Sequence, residues 1–232
     1  MADAVSPSNP SASDGSTRRL NAALPWLTRI AQGSSSFIGI FLAIHLTAPA
    51  MANLGGSSLA SQVMLLGREY YQTPFGEASL VLAPIGIHAF TSITKRYAMF
   101  FVFAPIHFIT HRLNPTSPDA PIYSVGPSEL DYEFVKVGLQ TWPWRNWLLY
   151  TGLVICTALH AAEGSSLVMS TFFANSFDRK RWRARTRRTV AALSTIPVLT
   201  GVLSMATEPL MTFSSLALRY HESFTKSYIF RL

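Results

Sequence analysis

Four histidines stand in stretches of chain that carry no Asp, Glu, Lys or Arg. His45 lies in the run from Ile30 to Gly67, His88 in that from Ala78 to Thr94, His107 in that from Tyr97 to His111, and His160 in that from Asn146 to Ala162. A neutral imidazole offers one lone pair and one N–H. Two such rings at one depth on facing helices can clamp a haem iron from both faces of the macrocycle. They can equally hydrogen-bond from helix to helix, worth about 0.6 to 2 kcal/mol in a membrane bundle, and spacing alone favours this plainer role. Small residues flank them: Gly39 before His45, Gly86 before His88, and Ala161, Ala162 and Gly164 after His160. These admit a flat ring or let helices approach closely. Glu163 is three residues beyond His160, on the same helix face. It serves as a partner for that imidazole or as an interfacial carboxylate.

Beyond haem b, the residues suggest no cofactor and no catalysis. There is no glycine-rich phosphate loop, no cysteine metal set, and no nucleophile at readable spacing from a base. The single cysteine, Cys156, excludes an intrachain disulfide. Pro49, Pro84, Pro105 and Pro197 leave a transporter with broken helices as a third, weaker class.

The elements that must position the histidines follow from composition. The chain has 232 residues, 49% hydrophobic and 13% charged. Soluble domains average about 25% charged, so a water-coated globule is disfavoured and disorder is excluded for most of the chain. A helix needs about 20 apolar residues to cross a bilayer. The charge-free runs predict an all-α integral membrane helical bundle of five transmembrane helices, at about 30–53, 78–94, 97–111, 146–171 and 189–210. The third is short, about 22 Å at 1.5 Å per residue. Lys95, Arg96 and Arg112 at its ends snorkel to cover the difference. An unbroken helix from 79 to 111 is the alternative to a hairpin of the second and third spans. Because alternate spans run in opposite directions, His45 and His107 fall at an outer level and His88 and His160 at an inner one.

Around the transmembrane domain of residues 25–218, residues 1–24 are rich in Ser, Pro and Ala and read as a disordered N-terminal tail. Residues 219–232 read as a C-terminal tail. Ser58–Tyr71 suggests a short helix along the interface. The proline-rich, acidic stretch from Asn114 reads as a loop in water, ending in an aromatic anchor of Trp142, Trp144 and Trp147. No short apolar segment with a cleavage site precedes the first span, so no secretory signal is expected.

The net charge of +7 comes from 19 Lys and Arg against 12 Asp and Glu. Alternating the sides places twelve of the basic residues with the N-terminus and seven opposite, which sets the N-terminus on the cytosol-like side. Arg179, Lys180, Arg181, Arg183, Arg185, Arg187 and Arg188 form one dense run. Beside a span it fixes orientation and attracts anionic lipid at about 1 kcal/mol per charge. The partner these charges indicate is a lipid bilayer, not nucleic acid.

Several segments together carry a resemblance. They are Gly39-Ile-Phe-Leu-Ala-Ile-His45-Leu, Leu66-Gly-Arg-Glu-Tyr-Tyr-Gln72, Ile87-His88 with Lys95-Arg96, Ala104-Pro-Ile-His107-Phe-Ile-Thr-His-Arg112-Leu-Asn-Pro115, and His160-Ala-Ala-Glu-Gly164. In order and spacing, over about residues 27 to 175, they resemble the fungal mitochondrial outer-membrane adaptor family. That family's transmembrane domain is similar to the cytochrome b subunits of succinate dehydrogenase and fumarate reductase. The resemblance implies a five-helix, non-enzymatic protein of the mitochondrial outer membrane with a cytosolic N-terminus. It implies a role in lipid homeostasis, as an adaptor recruiting a bridge-like lipid-transfer protein to organelle contacts. The four histidines, Arg112 and Gly164 match the family's motif positions. Two features depart from it. The family recruits through Pro-x-Pro in the tail, whereas this chain has Pro7 and Pro10 at Pro-x-x-Pro spacing. The family's linker between spans two and three is usually longer than Lys95-Arg96-Tyr97.

Overall fold

The structure is a computed structural model describing residues 12–92, 100–172 and 183–231, with side chains described over 25–90, 102–170 and 183–231. Among the described residues every regular element is helical. Helix α1, Ala12–Tyr71, breaks at Gly55 and Gly56. Gly56 has φ 61° and ψ −160°, a region essentially closed to residues with a Cβ. The second arm, residues 57–71, therefore doubles back along the first. A Cβ on Gly67 would lie 2.8 Å from Ile44 Cγ2, and Tyr71 meets Phe41 edge-on at 5.1 Å. This arm, expected along the interface, packs Gly67 and Tyr71 against α1 while Leu66 and Tyr70 stay exposed. The helix also starts at Ala12, inside the segment expected to be disordered, where Leu20, Ala22, Ala23 and Leu24 are good helix formers. Residues 1–11 lie outside the described residues.

Thr73 then caps a new start, its Oγ1 accepting from the Gly76 N–H at 3.0 Å with Pro74 at the first turn. Helix α2, Pro74–Gly76, runs through a π-helical segment, Glu77–Leu82, into α3, Ala83–Ser92. It descends beside α1 until His88 reaches Ala31. Helix α4, Phe100–Phe108, continues as a second π-helical segment, Ile109–Leu113. The linker at 95–97, and with it the choice between hairpin and unbroken helix, lies outside the described residues. Helices α6, Pro143–Phe172, and α7, Ala184–Ala206, complete the bundle. Helix α1 packs on α3 and α7, and α6 packs on α7 and α4. The α1–α7 crossing is close: a Cβ on Gly201 would stand 1.7 Å from the Pro49 carbonyl oxygen, and Asn53 Nδ2 donates to the Pro197 carbonyl at 2.8 Å.

Among the described residues three helices are long and apolar enough to cross a membrane, within Pro25–Tyr71, Pro143–Ser170 and Ala184–Ala206. At most 33% of any of their apolar windows is buried inside the molecule. The rest, including Phe37, Ile40, Leu148, Ile155, Leu193 and Ile196, faces outward. An apolar surface of this extent suits hydrocarbon, not water. The expected count of five is thus met by only three helices of full length. The second and third expected spans are described only over 74–92 and 100–113, each passing through a π-helical stretch, and the residues between them lie outside the described residues.

The loop and tail expected beyond the spans fold together as a cap. Helices α5, Tyr132–Thr141, α8, Ser214–Thr225, and α9, Tyr228–Arg231, enclose a core of Ile122, Val125, Leu130, Phe134, Val137, Tyr220, Phe224 and Phe230. Phe134 stacks on Phe224 at 4.3 Å. Trp142, expected as an interfacial anchor, stacks instead on His221 at 4.9 Å, while Trp144 is 87% exposed. Ion pairs tie the loop to α8: Arg219 Nη1 to Glu129 Oε1 at 2.8 Å, and Lys226 Nζ to Asp119 Oδ2 at 2.6 Å. Residues 219–231, expected as a tail, are therefore integral to the packing.

These bonds give the cap a pH dependence. Hydrogen bonding from Lys226, and then Ser117, lowers the Asp119 pKa. Arg219 and the Gly126 N–H do the same for Glu129. A carboxylate whose folded pKa is depressed stabilises above its unfolded value, about 4, and that contribution is lost as pH falls through the folded value. Burial raises the Asp131 pKa and so acts in the opposite sense, softening the loss. Tryptophan fluorescence of the full chain in detergent is expected to report loosening of the cap below about pH 4. A signal flat to pH 2 would contradict this.

Candidate functional site

The bundle brings the four histidines together in two cross-helix pairs. His45 on α1 meets His107 on α4 with ring centroids 6.0 Å apart, and His88 on α3 meets His160 on α6 at 5.8 Å, both near-perpendicular at 79°.

The first pair is closed in by side chains. Phe41 stacks on His45 at 5.3 Å, and the Tyr71 hydroxyl lies 3.4 Å from its Nδ1. On the other side His111 stacks on His107 at 4.3 Å. His111 is in turn held at both nitrogens: Nδ1 lies 2.7 Å from Thr110 Oγ1 and Nε2 lies 2.9 Å from the Tyr150 hydroxyl. The result is a continuous file of rings, Tyr71–His45–His107–His111–Tyr150, joining the second arm of α1, the first arm, the α4 run and α6. Sequence reasoning placed His111 only at a span end. Its i, i+4 relation to His107 puts both on one helix face and is the sequence signal that could have found it. Tyr71 and Tyr150 had no such signal.

The second pair is more open. His88 Nδ1 lies 3.0 Å from the Ala31 carbonyl, so the N–H is on Nδ1, and 3.4 Å from Ser34 Oγ. With Nδ1–H donating to a backbone carbonyl, Nε2 is the nitrogen that could ligate a metal, the arrangement seen around ligating histidines. His160 is exposed on the bundle surface. A Cβ added at Gly33, Gly86 or Gly164 would meet no atom within 4 Å. Glu163 lies 3.8 Å from Arg187.

Two metal–nitrogen bonds of about 2 Å each and the half-widths of two rings come to about the separation seen in both pairs. A macrocycle between them needs a slot as well. At His45–His107 that slot is filled by Phe41, Tyr71 and His111, and the residues do not fit the group. At His88–His160 the open positions at Gly33, Gly86 and Gly164 are compatible with such a slot. Among the described residues no set of three or more His, Cys, Asp or Glu forms a metal cluster.

Comparison gives no relative. No family model, curated protein or solved structure matches this chain. Its candidate sites therefore stand on their own geometry.

Of the basic run, Arg179, Lys180 and Arg181 lie outside the described residues. Arg183, Arg185 and Arg188 are exposed around the N-terminus of α7, and Arg187 pairs with Glu163. Positive charge at a helix N-terminus opposes the macrodipole by some tenths of a kcal/mol per residue. The arginines are not there for the helix.

A polar junction joins the bundle to the cap, and sequence reasoning did not foresee it. Lys136 on α5 is fully buried, with Nζ 2.6 Å from Glu133 Oε1 and 3.5 Å from Glu208 Oε2. Glu208 accepts from the Ser57 N–H at 2.9 Å and from its hydroxyl, fastening the α1 break. Glu133 Oε2 accepts from the Met211 N–H at 2.7 Å.

Proposed function

We propose that the chain is a non-enzymatic protein of the mitochondrial outer membrane that crosses the bilayer five times, with its N-terminus in the cytosol, and supports lipid homeostasis. The N-terminal tail engages a bridge-like lipid-transfer protein, as the resemblance implies. The supporting observation is that the four histidines quoted for the resemblance meet as two cross-helix pairs, the role of residues that knit one bundle. The arginines at the start of α7 fit a topogenic role on the cytosolic side under the positive-inside rule. The cap would lie on the opposite side.

Removing residues 1–24 is the direct test. The truncated protein is expected to resist carbonate extraction while a cytosolic lipid-transfer protein no longer co-purifies. Undiminished recovery of that partner would contradict a role for the tail.

A second reading is favoured by one specific observation, the His88 Nδ1 contact with Ala31 beside an open rim. There His88 and His160 would hold a b-type haem, which would supply one-electron transfer. Ala31 and Ser34 would orient His88, and the glycines at 33, 86 and 164 would leave room. This predicts one haem and not two. Reduced-minus-oxidised spectra should show sharp α and Soret bands abolished by His88→Ala or His160→Ala and kept in His45→Ala. A colourless protein purified under full haem supply would remove this reading.

A further inference from the structure

Where the second arm of α1 ends and the next helical run begins, the molecule leaves a shallow crevice lined by Phe37, Ile40, Phe41, Tyr70, Leu80 and Val81. Three of these walls are outward-facing: Phe37 is 48% exposed, Ile40 52% and Tyr70 52%. The crevice opens sideways from α1, on the surface that a spanning helix turns to hydrocarbon. Leu80 and Val81 come from the π-helical segment Glu77–Leu82, and such local widening recurs at functional sites. One turn before them, Glu77 holds Arg112 in a two-pronged ion pair, Nε to Oε1 and Nη2 to Oε2 both at 2.7 Å. Arg112 itself lies in the second π-helical segment, Ile109–Leu113. Both side chains keep exposed surface, 31% for Arg112 and 22% for Glu77.

The apolar groove and the partly exposed pair of opposite charges at one end have the polarity of a single amphiphile. A chain of methylenes suits the groove. A phosphate suits the guanidinium, and an ammonium suits the carboxylate. Tyr70, with an apolar ring and a polar tip, suits the boundary between them. We propose that the crevice holds one acyl chain of a zwitterionic bilayer phospholipid, its phosphate at Arg112 and its cationic ammonium head facing Glu77. This rests on the membrane embedding proposed above and not on any partner of the tail.

The test uses the full chain in phosphatidylcholine nanodiscs carrying a trace of phosphatidylcholine with a diazirine in one acyl chain, and in parallel a diacylglycerol with the same chain. Crosslinks mapped by mass spectrometry should concentrate on residues 37–41 and 80–81 relative to the α6 and α7 faces around Leu148 and Leu193. Ile40→Trp, at an exposed position, should fill the groove and remove that enrichment. The double variant Glu77→Gln with Arg112→Gln leaves no unpaired charge. It should cut the preference for phosphatidylcholine over diacylglycerol by about tenfold, the value of one or two charge-assisted contacts, while acyl labelling of the groove persists. Labelling spread evenly around the bundle, or unchanged by Ile40→Trp, would overturn the proposal, as would equal labelling by both probes in the unmodified protein. Carbonate extraction of the same samples reports embedding separately, so failure of the crevice is distinguishable from failure of the membrane reading.

Discussion

Replacing Lys136 by alanine is expected to destabilise the protein by about 3 to 5 kcal/mol, the cost of stripping one partner from a buried ion pair. Lys136 is fully buried between Glu133 and Glu208, whose side chains are 12% and 29% exposed. Its loss leaves two carboxylates facing each other near Ser57 with no cation between them. Because Glu208 also fastens the α1 break and Glu133 the 211–212 turn, the damage should spread to the joint between bundle and cap. Thermal unfolding in detergent should show a lowered midpoint, with limited proteolysis entering first between α7 and α8. A triple variant, Lys136→Met with Glu133→Gln and Glu208→Gln, should recover most of the loss, since a neutral junction of similar volume carries no unpaired charge. If Lys136→Ala melts like the unmodified protein, the junction is not a structural lock.

The second large effect is expected at the α1–α7 crossing. A Cβ at Gly201 would coincide with the Pro49 carbonyl, 1.7 Å away, and Asn53 Nδ2 would stand 3.3 Å off. The obstacle is backbone, so no rotamer change relieves it. Gly201→Val should separate the two helices, costing about 1 to 3 kcal/mol or more as over-packing and weakening the Asn53 bond to Pro197. Gly39→Ala and Gly164→Ala are the controls: an added Cβ there meets no atom within 4 Å, and replacing glycine within a helix is mildly favourable. Their midpoints should hold or rise while that of Gly201→Val falls. A Gly201→Val protein as stable as its controls would show that α1 and α7 do not pack this closely.

The two effects differ in how visible they were in the sequence. The charge-free runs located the long helices because charge is costly in hydrocarbon, and alternating direction put His45 level with His107 and His88 level with His160. The structure brings those same residues together. His111 went unremarked because it ends an apolar run, where a histidine reads as interfacial. The cap was not legible for a physical reason. Its core joins Ile122 and Phe134 to Tyr220, Phe224 and Phe230, residues some ninety positions away, and neither segment has an apolar run long enough to announce burial. Lys136 reads as one more basic residue on the outer side because, apart from Glu133 one turn earlier on its own helix, its partners Ser57 and Glu208 come from two distant segments. The doubling back of α1 at Gly55-Gly56 was equally hidden, since two glycines in an apolar run also suit a close helix contact.

Five crossings with a cytosolic N-terminus and the cap on the opposite side form the central claim. Protease protection in intact mitochondria tests it most directly, with one epitope at residue 1 and another after residue 232. The N-terminal epitope should be digested at once. The C-terminal epitope, following α9 on the cap, should survive until the outer membrane is ruptured. Digestion of both epitopes in intact organelles, or protection of both, would put the termini on one side and contradict an odd number of crossings.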